Sequence, residues 1–287
     1  MKQYPLDLSI SIVSYNTKDL LRKCLKSIFS KTKKLKFEIY VVDNDSKDGS
    51  VEMVAEEFPQ VKLIANKTNN FYTKANNQSL SRAKGKYFLI LNCDTFFIDD
   101  SLEKMVDYLE KNPKVGAIEG LQLYLDQSPV PTGGNQSSPL LDFYTLSWVG
   151  NKIANQRKVA NFRLEGKDRR LTFPAEVICD AFLMTRTDLF KDMGGYDENL
   201  LLYYTENDLC LRIINKGFKT IHFGRGKVMH SVNASSKKLG RKKINKIYLQ
   251  DLLKYYTKWG KGLAGRLLYW DLKIEYWLLE RLKPSFR

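Results

Sequence analysis

The chain has 287 residues, 43% of them apolar, and carries 47 lysines and arginines against 32 acidic residues for a formal charge of +15. That is a globular composition with material for a sizeable core, in one large domain or a domain with an appendage. No run approaches the roughly 20 apolar residues of a spanning helix, and Met1-Lys2-Gln3-Tyr4-Pro5 lacks the apolar region of a signal peptide.

Four cysteines, Cys24, Cys93, Cys179 and Cys210, lie far apart without C-x-x-C spacing, so buried thiols in a reduced, cytosolic compartment are expected. The charge is uneven. From Lys237 to Arg287 there are 14 basic against 4 acidic residues, a surplus of 10 in the last 51 positions. Such a tail suits an anionic partner, either nucleic acid or a membrane surface.

In chain order, Leu8 to Asn16 reads as a strand ending at a polar pair, and Lys18 to Ser30 as a helix with Leu20, Leu21, Leu25, Ile28 and Phe29 at helical spacing. Glu38 to Val42 is a second strand. It runs into the acceptor-rich turn Asp43-Asn44-Asp45-Ser46 before a helix from Val51 to Phe58. Val61 to Ile64 forms a third strand, Asn76 to Arg82 a helix, and Tyr87 to Leu91 a fourth strand whose unbroken apolar run predicts cover on both faces. Alternation of this kind predicts an α/β fold, a mostly parallel sheet with helices on both sides. A helix covers Ser101 to Lys111. Between Gly120 and Pro174 the pattern is irregular, interrupted by Pro129, Pro131, Gly133, Gly134 and Pro139, and such a segment is a candidate lid or binding region. Ala175 to Met184 reads as a strand, Asp208 to Lys216 as a helix stopped by Gly217, and Thr220 to Phe223 and Val228 to His230 as short strands.

The tail is helical in pattern. One apolar stripe joins Ile244, Ile247, Tyr248, Leu252, Tyr255, Tyr256 and Trp259; a second, after Gly260 and Gly262, joins Leu263, Leu267, Trp270, Ile274, Trp277 and Leu278. Two readings stand side by side: a helical pair packed on the domain, or an interfacial helix on an anionic membrane. Only one stripe need face lipid. A stripe of this kind could also bury itself in a homodimer.

Three acceptor-rich turns fall at strand ends on one sheet edge: Tyr15-Asn16, Asp43-Asn44-Asp45 and Asn92-Cys93-Asp94. Ligands bind along that edge of open α/β sheets. Asp43 can accept from a pyrimidine N–H, Tyr15 offers a ring face, and the oxygens of Asn92 and Asp94 suit a hard divalent cation that keeps waters and phosphates as further ligands. Each turn alone is equally an Asx-turn or a cap. Glu206 and Asp208, at the start of a helix, suit the helix dipole or a general base. His230 suits a core position or a metal ligand.

The ordered set Ser-Ile-Val-Ser-Tyr-Asn, Val-Val-Asp-Asn-Asp-Ser, Lys74-Ala75-Asn76-Asn77, Leu-Asn-Cys-Asp, Gly194-Gly195-Tyr196-Asp197, Glu-Asn-Asp-Leu-Cys-Leu-Arg and Val-Met-His resembles the family 2 inverting glycosyltransferases with the GT-A fold, in their rhamnosyltransferase-like branch. The likeness spans roughly Leu8 to Ser236, which sets a nucleotide-sugar-binding domain at 1–236 and a basic amphipathic tail at 237–287. It implies transfer of a sugar, rhamnose among the candidates, from a nucleoside-diphosphate sugar to a hydroxyl of a glycan or lipid-linked glycan. Donor contacts fall on Ser14, Tyr15, Asn16, Asp43, Asp45, Lys74, Asn77, Asn92 and Cys93; Mg²⁺ or Mn²⁺ falls on Asp94 and His230. The metal triplet departs from the family in opening with Asn92 and in carrying Cys93 where many relatives have proline. The acid motif registers ambiguously, leaving Glu206 as first candidate for the base and Asp208 as second. The resemblance implies an enzyme of surface-polysaccharide assembly; the cysteines and the basic tail add the expectation of a cytoplasmic location, at the cytoplasmic face of a membrane.

A sugar nucleotidyltransferase would share sheet and metal but open with a glycine-rich phosphate loop, and Ser14-Tyr15-Asn16-Thr17 is not one. A nucleic-acid binder would explain the charge and leave the acidic strand ends unexplained, so nucleic acid is not expected as a partner.

Overall fold

The computed structural model describes residues 3–231 and 240–282, with side chains as far as Leu278. The expected domain boundary at 236/237 lies outside the described residues. In the first half, β1 (Leu6–Ser14), α1 (Lys18–Lys31), β2 (Phe37–Asp43), α2 (Ser50–Glu57), β3 (Lys62–Ala65), α3 (Phe71–Arg82) and β4 (Gly85–Asn92) alternate as expected. Their strands are parallel in the order β3-β2-β1-β4. Register matters more than order here: Ser14 pairs with Asp43 and Val13 with Asn92, so three strands stop in step and their following turns share one edge.

The second half is β5 (Thr95–Phe97), α4 (Ser101–Lys111), β6 (Val115–Leu123), α5 (Pro139–Leu146), α6 (Trp148–Lys152), α7 (Gln156–Phe162), β7 (Thr172–Pro174), β8 (Phe182–Arg186), α8 (Thr187–Asp192), α9 (Thr205–Asn215) and β9 (Lys219–His230). Strands β8 and β5 run antiparallel to their neighbours, which makes the sheet mixed, in the order β3-β2-β1-β4-β8-β6-β9-β5 with β7 on β9.

Several expectations are corrected. The irregular stretch begins later than expected, because β6 continues to Leu123 with all nine residues buried between two strands, leaving no alternation to read. Three short helices then follow within it, α5 beginning at a proline with the Ser138 hydroxyl accepting from Leu141 N–H. Strand β8 starts at Phe182; residues 175–181 lie outside the sheet's strands, and Cys179, Asp180 and Ala181 among them line a cavity. The two expected strands before His230 are one, β9, with a register break opposite Gly120/Leu121. Helix α3 begins five residues earlier than expected, at Phe71, and α9 three residues earlier, at Thr205.

The apolar run of β4 is explained by its two faces. Tyr87, Leu89 and Leu91 enter the core that contains α1, α2 and α4 residues, while Phe88 and Ile90 enter the core with α3, α8 and α9 residues. A third cluster joins Leu200 and Tyr204 to Leu252, Tyr255 and Tyr256 of α10 (Arg241–Lys258) and Leu268 and Leu272 of α11 (Gly262–Leu282). The first tail stripe is therefore buried on the domain. The second is not: Leu263, Leu267, Trp270, Ile274, Trp277 and Leu278 are all exposed.

Candidate active site

A cavity of about 370 Å³ opens where the parallel strands end. It is lined by Val13 near the end of β1 and Tyr15 after it, Asn44 after β2, Asn92 at the end of β4 with Cys93 and Asp94 after it, and also by Asp180, Leu202, Tyr203 and Glu206. Gln122 of β6 and Val130 and Thr132 beyond it also line the cavity, so the irregular segment expected to be a lid or binding region contributes to its lining.

Asp94 and His230 meet because β5 pairs with β9 so that Thr95 faces His230, and Ser231 N–H donates to Asp94 O. The His230 Nε2 lies 3.1 Å from Asp94 Oδ1, both residues being buried. The other ring nitrogen, Nδ1, is 2.7 Å from Gln122 Oε1. With that carbonyl taking the Nδ1 proton, the Nε2 lone pair and a carboxylate oxygen face one another, an arrangement that suits a cation between them. Among the described residues no third His, Cys, Asp or Glu joins these two. The pair fits a divalent ion that takes its remaining ligands from phosphate and water.

The two carboxylates of the acid motif are placed differently. Glu206 lies in the cavity wall. Asp208 does not: it is buried, with Oδ2 accepting from Arg212 Nε at 2.8 Å and Oδ1 accepting from Trp259 Nε1 at 3.1 Å and Lys258 Nζ at 2.6 Å, which ties α9 to α10. Glu206 is delivered by Tyr204, which takes a left-handed φ of 58° immediately before α9. A side chain held there is strained unless its surroundings dictate it. Its hydroxyl donates to buried Asp142 at 2.5 Å, a carboxyl that the Tyr256 hydroxyl also meets at 2.5 Å. The preceding turn is held from the tail, where Asp251 Oδ2 accepts from the N–H groups of Leu201, Leu202 and Tyr203 at 3.1, 2.9 and 3.0 Å.

Asp180 is a second carboxyl in the cavity, and nothing in the motif reading pointed to it. The Tyr196 hydroxyl donates to its Oδ2 at 3.0 Å, and Thr205 Oγ lies 2.9 Å from the same atom. Its segment is fixed from behind by fully buried Glu119, which accepts from Cys179 N–H and holds His222 Nδ1 at 2.6 Å. Burial and the neighbouring Glu206 charge push the Asp180 carboxyl up to about 7, and burial raises Glu206 as well. The one visible signal for Asp180 was a carboxylate breaking the apolar run Val177-Ile178-Cys179…Ala181-Phe182.

Of the expected donor contacts, Tyr15, Asn92 and Cys93 line the cavity with Asp94, and the others do not. Successive residues of an extended chain point to opposite sides, so with Val13, Tyr15 and Asn44 facing the cavity, Ser14 and Asp43 turn inward. Asp43 is buried, raised by desolvation, and accepts from Ser46 N–H at 2.8 Å. Asn16 accepts from Lys47 N–H, and Asp45 pairs with Lys47. Asn77 spends its amide on Tyr196, whose N–H it accepts and whose carbonyl it donates to, and Lys74 is exposed on α3 outside the cavity. None of the four cysteines is paired in a disulfide.

The model of glycosyl transferase family 2 matches residues 9–194, and the chain belongs to that family. It is 33% identical over 111 residues to an uncharacterized glycosyltransferase of Haemophilus influenzae, a match of 39% of this chain and 37% of that relative. It is 22% identical over 242 residues to the N-acetylglucosaminyl-diphospho-decaprenol L-rhamnosyltransferase of Mycobacterium tuberculosis, covering 78% and 75% of the two chains. Among solved structures, the mannosyltransferase PcManGT of Pyrobaculum calidifontis, in complex with GDP-Man and Mn²⁺, superposes with a TM-score of 0.60 at 16% identity over 100% of this chain and 80% of that one. GalNAc-T7, with UDP, GalNAc and Mn²⁺, gives 0.59 at 17% over 78% and 44%. The matched stretches are little more than a third of the Haemophilus relative and under half of GalNAc-T7. At such identities the solved structures establish the GT-A fold.

Proposed function

We propose that the chain transfers a sugar from a nucleoside-diphosphate sugar to a hydroxyl of a glycan or lipid-linked glycan acceptor, with inversion at the anomeric carbon. The observation that carries this reading is one cavity lined by both Glu206 and the Asp94–His230 pair, at the end of three parallel strands. Tyr15 and Asn44, which line the same cavity, would meet the base and ribose. Glu206 takes the proton of the acceptor hydroxyl as its oxygen bonds to the anomeric carbon, and the diphosphate departs from the opposite face with the electrons of the broken C–O bond. Mg²⁺ or Mn²⁺, held by Asp94 and His230, would neutralise charge developing on that diphosphate. The mycobacterial relative makes a nucleoside-diphosphate rhamnose the first donor to try. Among the described residues no helix is long and apolar enough to cross a membrane, and we place the enzyme at the cytoplasmic face through its basic tail.

The test is binding and hydrolysis of a panel of nucleotide sugars, with and without Mn²⁺, by wild type and Asp94→Ala. One donor bound in a metal-dependent way and lost in the variant supports the reading and identifies the sugar. No nucleotide sugar bound, together with salt-sensitive binding of RNA or DNA, overturns it.

A further inference from the structure

Helix α11 is apolar on two opposite sides. Gly265, Leu268 and Leu272 are buried toward α10 and the domain, with Tyr276 packed beside them. At about 100° per residue, Leu263, Leu267, Trp270, Ile274, Trp277 and Leu278 fall on the far side. They are 41–77% exposed. An amphipathic helix needs only one apolar face to pack on a protein, so the second requires a different explanation.

A second set of apolar side chains stands beside it, from a part of the chain more than a hundred residues earlier. Trp148 and Val149 of α6 and Ile153 just after it are 67%, 46% and 66% exposed. They are tied to α11 through Glu275, which accepts from Ser147 Oγ at 2.8 Å and from Trp148 N–H at 2.9 Å. The flanks are basic. Lys273 Nζ lies 4.4 Å from the Trp270 ring and Lys152 Nζ 3.9 Å from the Trp148 ring, and exposed Arg266 falls on the same side of α11 as Lys273. Of the acids on α11 whose side chains are described, Glu275 is spent on α6 and Asp271 is half-buried.

We infer that the outward face of α11 and the exposed side of α6 form one docking surface for an anionic lipid bilayer. Tryptophans with a cation against the ring match the level where acyl chains meet headgroups, and the basic rim meets anionic lipid. A second copy of the chain fits less well, because a two-fold contact would set each basic rim against its own like. The surface also lies close to the chemistry: Tyr203, in the cavity wall, packs in the same cluster as Leu268 and Leu272. A bilayer on α11 would thus stand about one helix diameter, ~10 Å, from residues that support the cavity. This deepens the lipid-linked-acceptor reading and rests on it only for its biological use; vesicle binding and donor hydrolysis succeed or fail separately.

The experiment is co-sedimentation of the full chain with phosphatidylcholine vesicles carrying about 30 mol% phosphatidylglycerol, against phosphatidylcholine alone. Two surface variants are compared, Trp270→Ser/Trp277→Ser and Trp148→Ser/Ile153→Ser, with hydrolysis of donor in solution as the control for folding. Binding is expected only to the anionic vesicles, weakened by raising salt from about 0.1 to about 1 M as the Debye length falls from ~10 to ~3 Å. Each variant should lose roughly tenfold or more in partitioning with hydrolysis retained. No binding of wild type, equal binding to both vesicle types, or undiminished binding of the α11 variant overturns the inference. Loss confined to the α11 variant overturns its two-part form, and a wild-type dimer that the α11 variant dissociates, without vesicle binding, gives the surface to a second copy.

Discussion

The carboxyls of Asp180 and Glu206 meet on a single hydroxyl: Thr205 Oγ lies 2.9 Å from Asp180 Oδ2 and 3.0 Å from Glu206 Oε2. The Tyr196 hydroxyl makes a third contact, to Asp180. Two hydroxyl protons serve three O···O contacts, and a proton held on one carboxyl would complete the set. Placed on Asp180 and donated to Thr205, that proton would leave Thr205 to donate to Glu206 in its ionised form, the form a base needs.

Glu206→Gln keeps the size and removes the proton acceptor, so kcat should fall by about 10²–10⁴ while nucleotide binding is retained. Asp208→Asn should act differently, lowering the melting temperature first, because it breaks a buried pair with Arg212 and Lys258 worth about 3 kcal/mol once one partner is removed. Steady-state rates and thermal melts on both variants separate the roles; equal losses of kcat with equal stability would count against Glu206 as the base.

The raised Asp180 pKa has a definite sign in stability. A carboxyl at about 7 in the folded chain and near 3.8 unfolded holds its proton more tightly when folded. Its stabilising contribution is present below about 4 and is lost as pH rises through about 7. Asp180→Asn, which mimics the protonated form, should flatten the melting curve against pH across that window and melt higher than wild type at pH 8. Parallel pH dependence in the two proteins would show Asp180 ionised throughout.

Asp251 is remote in sequence from the site yet supports it through three N–H bonds to the 201–203 turn. Asp251→Ala leaves those donors without their acceptor in a buried place, a cost of about 1–3 kcal/mol for each group not rehydrated. Lower thermal stability together with reduced kcat is expected. Unchanged kcat in the folded fraction would mean that Tyr203 and Glu206 keep their places without the tail.

Gln122→Leu removes the acceptor of His230 Nδ1. Loss of such a partner typically weakens a metal site 10–100-fold, and the Mn²⁺ concentration for half-maximal donor binding should rise by about that factor. Calorimetric titration of Mn²⁺ with donor present measures it. No change would remove His230 from the metal's surroundings.

What the sequence determined by itself was everything local or periodic. Alternating strands and helices from Leu8 to Lys111 apart from β5, the strand ends at Tyr15, Asn44 and Asp94, and two helical stripes in the tail are set by spacings of two and 3.6 residues. Tertiary structure decided what depends on partners far along the chain. Whether Asp43 or Asn44 faces the cavity turned on one step of strand pleat, and whether Glu206 or Asp208 faces it turned on which side of α9 the tail covers. Strand β6 was hidden because burial on every side erases alternation. Asp180 became part of the site through Thr205, Tyr196 and Glu119, none of them its neighbour in sequence. Of two similar tail stripes, packing against Leu200 and Tyr204 buried one and left the other on the outside, since a helix can turn only one face to its support.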